Sequence, residues 1–330
     1  MRSLVIAPAV FVVMVWGCVA FAQSSARSLD IQPGARQNGM GATGVALESD
    51  PADAMWWNPA ALGFAEWHGV GWSYAQLVPG LAEDVIHQHI AAAGRVVPRL
   101  GVGASATFLD YDASASDSWF AGDENSERSA AIAVGFRVTP DVAIGVTGKH
   151  VIVDFGYLYP RGDTYGFDIG GLYRHAFDRT RVAVGLNVQN LGPELGYEGI
   201  SNSWPLGRNT KLGGAVTRPI EIGWAGLDAE ATAVADWDHS LVDADYNVLH
   251  LGAEISGGLG RRVRLAARGG YYDDQTGEIT DWTWGFGGRL LGLSVDYAQI
   301  PQARESGLPN VEKWTVGLHT DALMEKLAAH

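Results

Sequence analysis

Residues 34–63 read GARQNGMGATGVALESDPADAMWWNPAALG, and what this stretch is decides how the rest must be built. It is too polar and glycine-rich for a membrane helix and too irregular for a strand. Beyond it, from about Trp67 to His319, the chain runs in short alternating segments. The stretch therefore reads as the heart of a small helical and loop plug, residues 23–66, with residues 67–320 forming a cylinder around it.

Inside the plug, Gly39-Met40-Gly41-Ala42-Thr43-Gly44 matches the spacing GxGxxG. A dinucleotide site needs that spacing between a strand and a helix, and no strand precedes it here. Close-packed glycines are the expectation instead. Asp50-Pro51 has the form of a helix start with Pro at the first position. That helix is expected to run to about Trp57, where Asn58-Pro59 ends it and begins another turn.

Outward from the plug the period becomes two. Val70, Trp72 and Tyr74 alternate with Gly69, Gly71 and Ser73, and Val102, Ala104, Ala106 and Phe108 alternate with Gly101, Gly103, Ser105 and Thr107. Val182, Val184, Leu186 and Val188 alternate with Arg181, Ala183, Gly185 and Asn187. One face is apolar and the other small or polar, a pattern shared by soluble sandwiches and membrane barrels.

The connections separate those two. Strands are expected near 67–75, 87–96, 100–110, 129–139, 142–153, 164–174, 180–190, 209–218, 227–237, 247–256, 262–272, 282–290, 292–300 and 312–319. Tight turns such as Val97-Pro98-Arg99 and Thr139-Pro140-Asp141 alternate with longer polar loops at 76–86, 111–128, 154–163, 191–208, 238–247, 273–281 and 301–311. The connection 219–226 is longer than that pattern wants. An even count of about fourteen strands with sorted loops is the signature of an all-β, closed antiparallel transmembrane β-barrel in a bacterial outer membrane. It puts both termini in the periplasm. Backbone groups in lipid must all be paired, so strands cross only as a closed ring. Aromatics near predicted strand ends, among them Trp72, Tyr165, Trp237, Trp282, Trp284 and Trp314, read as interfacial girdles.

Composition agrees. No stretch past the N-terminus has the roughly 20 apolar residues of a spanning helix, while 43 glycines and 12 tryptophans suit turned strands and girdles. A net charge of −14 excludes a nucleic-acid partner, which needs a basic face. Residues 1–22 read as a secretory signal, with Arg2, an apolar Leu4–Val15 core and Ala20-Phe21-Ala22 before the cut. The rival is a lipoprotein signal ending at Cys18, which Trp16-Gly17 fits poorly. Cleavage after Ala22 removes the one cysteine, and with it any thiolate site. Residues 321–330 read as a short amphipathic tail in the periplasm.

The plug resembles the N-terminal signature of the PorV/PorQ proteins, which belong with the FadL-type fatty-acid transporters. The resemblance is carried by Gly34-Ala35-Arg36, Gly39-Met40-Gly41-Ala42, Val45-Ala46-Leu47, Asp50 and Trp57-Asn58-Pro59-Ala60-Ala61-Leu62. Trp72 to Leu81, Asn190-Leu191-Gly192 and Val295-Asp296-Tyr297-Ala298 are similar to strand motifs of that group. The resemblance implies a fourteen-stranded barrel with an N-terminal hatch and no enzymatic activity. FadL-type members pass hydrophobic molecules such as long-chain fatty acids across the outer membrane. PorV-type members serve type IX secretion, binding exported proteins and handing them to the attachment machinery. The chain departs from the group at its C-terminal extension.

Two site expectations follow. Gly39, Gly41, Asn58 and Pro59 form the plug motif, and Met40, Val45, Leu47, Met55 and Trp56 are candidates for an apolar pocket beneath it. Inward charges such as Lys149, Asp168, Arg181, Lys211, Glu230, Asp236, Glu254, Arg264, Arg268 and Arg289 are expected to pair across the lumen. The group also includes Arg137, Asp228, Asn187 and Gln189. His87 and His89 share a face without a sequence-placed third ligand, the acidic loops lack a calcium-loop spacing, and no GxSxG occurs. Neither a metal nor a cofactor is expected. The expected partners are outer-membrane lipid, secreted proteins and other secretion components, or a hydrophobic small molecule.

Overall fold

The computed structural model describes residues 25–47, 51–66, 68–111, 125–155, 159–222, 227–243, 246–259, 263–274 and 279–320. The signal segment, the helix start at Asp50 and the tail 321–330 lie outside the described residues.

Small residues alternating with apolar ones produce long antiparallel strands. They are β1 (His68–Val78), β2 (Ala82–Val97), β3 (Leu100–Asp110), β4 (Ser126–Arg137), β5 (Val142–Phe155), β6 (Tyr159–Phe177) and β7 (Thr180–Leu191). After two short strands, β8 (Leu195–Tyr197) and β9 (Ser203–Trp204), come β10 (Asn209–Ile222), β11 (Leu227–Ser240), β12 (Asn247–Leu259) and β13 (Val263–Asp274). The series ends with β14 (Ile279–Leu290), β15 (Leu293–Ile300) and β16 (Val311–His319). Leaving out β8 and β9, the remaining fourteen form one closed antiparallel ring, with β1 paired to β16 and β5 to β6. The hairpin of β8 and β9 continues from the outer end of β6 at Gly162 and Asp163.

The apolar face points outward. Ile132, Leu265 and Trp282 are 69%, 68% and 70% exposed, whereas Ala133 on the opposite face of β4 is fully buried. The outward row from Leu100 to Phe108, at about 3.3 Å per residue and a tilt of about 40°, rises about 20 Å, close to the roughly 25 Å apolar band of such barrels. Outward aromatics meet across strands: Phe286 lies 5.0 Å from Tyr297, and Tyr297 lies 4.7 Å from Trp314. Trp284 Nε1 donates to Gln299 Oε1 at 2.7 Å, which satisfies the indole's one polar group.

Several strands outrun their sequence boundaries. The loops expected at 76–86 and 154–163 shrink to the connections after Val78 and Phe155, because their flanks continue the ladder: Gln76 pairs with Ile86 and Val153 with Gly162. β10 likewise runs through Pro219, paired with Glu230, to Ile222, so the long connection expected there is not formed. One rim still carries the tight turns after Val97, Phe177 and Leu290, and the other carries the long connections after Asp110, Leu191 and Ile300.

The plug threads the ring from one rim to the other. It opens at the long-loop rim, where Ser25 N donates to Pro205 O at 2.8 Å and Ser28 N to Glu127 Oε2 at 2.7 Å. A short helix α1 (Ala35–Asn38), a helix α2 (Pro51–Trp57) and a 3-10 segment Pro59–Phe64 then cross the lumen. The plug finishes at the short-turn rim, where Arg174 covers the Phe64 ring at 3.9 Å. Thr320 lies at that same rim beside His68. The chain ends themselves, residues 1–24 and 321–330, lie outside the described residues. Ser25 and Thr320 lie at opposite rims because the plug spans the full height of the lumen.

Candidate functional site

The lumen wall is cut to the plug's shape. A Cβ on Gly270 would lie 2.0 Å from Gly41 N, and one on Gly185 would lie 2.2 Å from Val45 O. Gly145 and Gly170 make the same room for Pro59 and Asn58. Gly41, at φ 73°, also faces the backbone of β12 and β13, and its N–H donates to Thr283 Oγ1 at 2.8 Å. Asn58 caps the 3-10 segment by accepting from Ala60 N, while its Nδ2 donates to Val45 O at 2.9 Å and Gly171 O at 3.0 Å. The four plug-motif residues are thus all at plug-to-wall contacts: Gly39 packs on Gly285, and Pro59 on Gly145.

The apolar candidates are all buried but divide among neighbourhoods. Met40 and Leu47 share a cluster with Phe64 and Leu172, Met55 packs with Leu62 and Ala91, and Trp56 packs with Ala42 and Trp57. Val45 presses against Gly185 and Gly213.

Charges fasten the plug. Arg36 makes a two-pronged contact with Glu254, 2.9 Å from each oxygen, and Arg268 reaches the same carboxylate at 2.6 Å and Asp296 at 2.6 Å. Asp236 accepts from Gly44 N at 2.6 Å and Val45 N at 3.0 Å. Asn187 and Gln189 donate to the Trp57 and Trp56 carbonyls. Lys149 pairs with Asp168 at 2.8 Å, Lys211 pairs with Asp238, and Glu230 joins Arg181 to Arg264. On α2, burial and the nearby Asp296 carboxylate push Asp53 up to about 7, against the pull of Arg36 and Arg268.

Of the remaining lumen candidates, Arg137 bonds Pro98 O at the short-turn rim, Asp228 is exposed there, and Arg289 lies 3.4 Å from His319 Nε2. His87 and His89 do share the inner face, and His89 meets Thr107 at 2.9 Å. Among the described residues no three His, Cys, Asp or Glu side chains are grouped to hold a metal.

Sequence reasoning missed Arg36, Asp53, His250, Asp296 and Lys313. The last three were readable by parity, since Leu249, Val295 and Trp314 point outward. No periodicity marked Arg36 or Asp53, because the plug has none, and the Gly34-Ala35-Arg36 motif gave Arg36 no partner.

Cavities remain at both ends of the plug. One of about 330 Å³ opens at the long-loop end between Gln32, Asn38, Leu77, Tyr272, Ile300 and Lys313. The other, of about 250 Å³ at the short-turn end, is bordered by Arg36, Leu47, Asp53, Glu254, Arg268 and Asp296.

A family model described as "Type IX secretion system protein PorV" matches residues 22–220. No curated protein matches the chain. Among solved structures, a Pseudomonas aeruginosa FadL homologue is similar at 13% identity and TM-score 0.44, over 87% of this chain and 97% of that one. The Pseudomonas putida toluene transporter TodX is similar at 12% identity and TM-score 0.46, over 86% of this chain and 95% of that one. A structure described as the CymD monoaromatic hydrocarbon channel is similar at 13% identity and TM-score 0.46, over 87% and 96%.

Proposed function

The chain belongs to the family of type IX secretion system protein PorV, and from that membership we propose that it is an outer-membrane barrel that binds exported proteins at its long-loop end and passes them on to other secretion components. The observation that carries this reading is the fastened plug. Its glycine contacts and the Arg36–Glu254–Arg268 bonds fill the lumen between the two cavities. A barrel so obstructed offers a surface rather than a passage.

The long-loop end supports the same reading. Asp110, Asp163, Glu194, Asp243, Asp273 and Glu305 fall at that rim against Arg128, Arg161 and Arg208, whereas the short-turn rim mixes Arg95, Arg99, Arg179 and Arg218 with Asp141, Asp178, Glu221 and Asp228. An acidic rim steers and orients a protein partner with a complementary face, and a hydrophobic solute has no use for it. The outward apolar band supports a barrel seated in lipid, and in barrels of this kind the long connections face the cell surface.

The test is purification of the intact detergent-solubilised protein from its own cells, with bound proteins and extracted lipids both identified by mass spectrometry. Exported proteins or secretion components without stoichiometric lipid are the expected result. A stoichiometric fatty acid or hydrocarbon with no protein would instead make the chain a FadL-like transporter of hydrophobic small molecules.

A further inference from the structure

β15 and β16, of eight and nine residues, are the two shortest of the fourteen strands in the ring. Their short-turn ends are level with those of their neighbours. Leu293 begins β15, its partner Leu318 lies one residue above His319, and Val70, paired with Leu318, lies two residues above His68. Strands about 4.8 Å apart and tilted by about 40° need that climb of about one residue per strand to keep a rim flat. The shortfall is therefore at the long-loop end, where the wall dips.

The lipid-facing residues follow the dip. On β15 the outward apolar run is Leu293, Val295 and Tyr297, and Gln299 ends it. On β16 the run is Leu318, Val316 and Trp314, and the exposed Glu312, paired with Gln299, ends it. At about 3.3 Å per residue and a tilt of about 40°, each run rises about 10 Å. The run from Val263 to Tyr271 on β13 rises about 20 Å by the same measure. Gln76 ends the outward run of β1, and past Gln299 the connection exposes Glu305, Ser306 and Asn310.

Aromatics with polar tips mark the lowered edge. Trp72 Nε1 donates to Gln88 Oε1 at 3.2 Å, as Trp284 does to Gln299. Phe286, Tyr297, Trp314 and Tyr74 form one row across β14, β15, β16 and β1. Side chains with an apolar body and a hydrogen-bonded tip collect where hydrocarbon meets head groups.

We propose that the outer surface of the bilayer is drawn down by about 10 Å along β15, β16 and β1, so that one side of the barrel holds a thinned patch of lipid. A level bilayer would place Glu312 and Gln299 in hydrocarbon, where a carboxylate is costly. A bilayer thins to meet a short wall at modest cost. The sector continues the outward apolar band of its neighbours, so lipid is its partner. The inference goes beyond the secretion reading and does not depend on it.

Nitroxide labels on single-cysteine variants in dioleoylphosphatidylcholine vesicles test this, with Cys18, the one native cysteine, replaced by serine. Gln299→Cys and Ala106→Cys both face outward, six residues from Leu293 and Leu100 at the short-turn ends of their strands. Val295→Cys and Val102→Cys lie two residues from the same ends. Glu312→Cys, seven residues from His319, is a second reporter of the dip. Folding of each variant is checked by gel mobility before and after boiling. The ratio of nickel-chelate to oxygen accessibility is expected to be roughly tenfold higher at Gln299 and Glu312 than at Ala106, and low at both Val295 and Val102. Equal ratios at Gln299, Glu312 and Ala106 would mean a level membrane and overturn the proposal. Labels at Val295 and Gln299 shielded from both reagents, and released by dilution with lipid, would assign the sector to a second copy of the chain and overturn it as well.

Discussion

A methyl group is too large for the wall at Gly270, where the plug backbone at Gly41 occupies the place a side chain would take. Gly270→Val is therefore expected to force the plug away from β13 and lower the melting temperature in detergent, at a cost of about 1–3 kcal/mol for overpacking. Trypsin cleavage at Arg36 should accelerate in the same variant. Asp53 is a second residue with a measurable signature. Its carboxyl ordinarily titrates near 3.8, and burial beside Asp296 raises it to about 7 in the folded protein. The folded state thus holds the proton more tightly, so the stabilisation is complete below about pH 4 and is lost as pH rises to about 7. Melting temperatures across that window should fall more steeply for wild type than for Asp53→Asn. Parallel profiles would mean that Asp53 does not titrate there. At this scale the barrel wall was legible and the plug was not. Parity alone turns Lys149, Glu254 and Arg268 inward, whereas nothing in the order of residues 34–57 announces that Arg36 and Asp53 meet β12 and β15.

Among the elements, the 3-10 segment Pro59–Phe64 depends on Asn58, which caps it and also joins it to Val45 and β6. Asn58→Ala is expected to cost about 1–3 kcal/mol, combining a lost cap with buried carbonyls left unpaired, and denaturant unfolding would measure it. The strands themselves show where sequence pattern fails. Within the apolar band, period two is enforced by lipid on one side and plug on the other, and the segments around Val102 and Val184 were readable for that reason. Beyond the band both faces of a hairpin meet water, so the flanks of the connections expected at 76–86 and 154–163 lose the alternation while keeping their backbone pairing at Gln76–Ile86, Val78–Ala82 and Phe155–Tyr159. Loops inferred from polarity were in part strands that had left the band.

For the whole molecule, the outward band predicts a strong position dependence of charge. Leu251→Arg, facing outward on β12, should destabilise the barrel in lipid vesicles by about 2–4 kcal/mol, and arginine at rim positions such as Val97 should cost about 0–1 kcal/mol. Equal costs at both sites would remove the lipid-facing assignment. The obstructed lumen makes an electrical prediction as well. The intact protein should pass little current in a planar bilayer, and deletion of residues 34–63 should leave an aqueous pore with steady conductance.

The path of the plug has a mechanical consequence. The segment beginning at Ser25 rests among the long connections, while β1 departs from the opposite rim. A pull or a displaced contact at Ser25–Leu206 bears on the same chain that is anchored at Phe64 by Arg174. The plug is thus a strut held at both ends, and the wall closes around a chain fixed at its two rims.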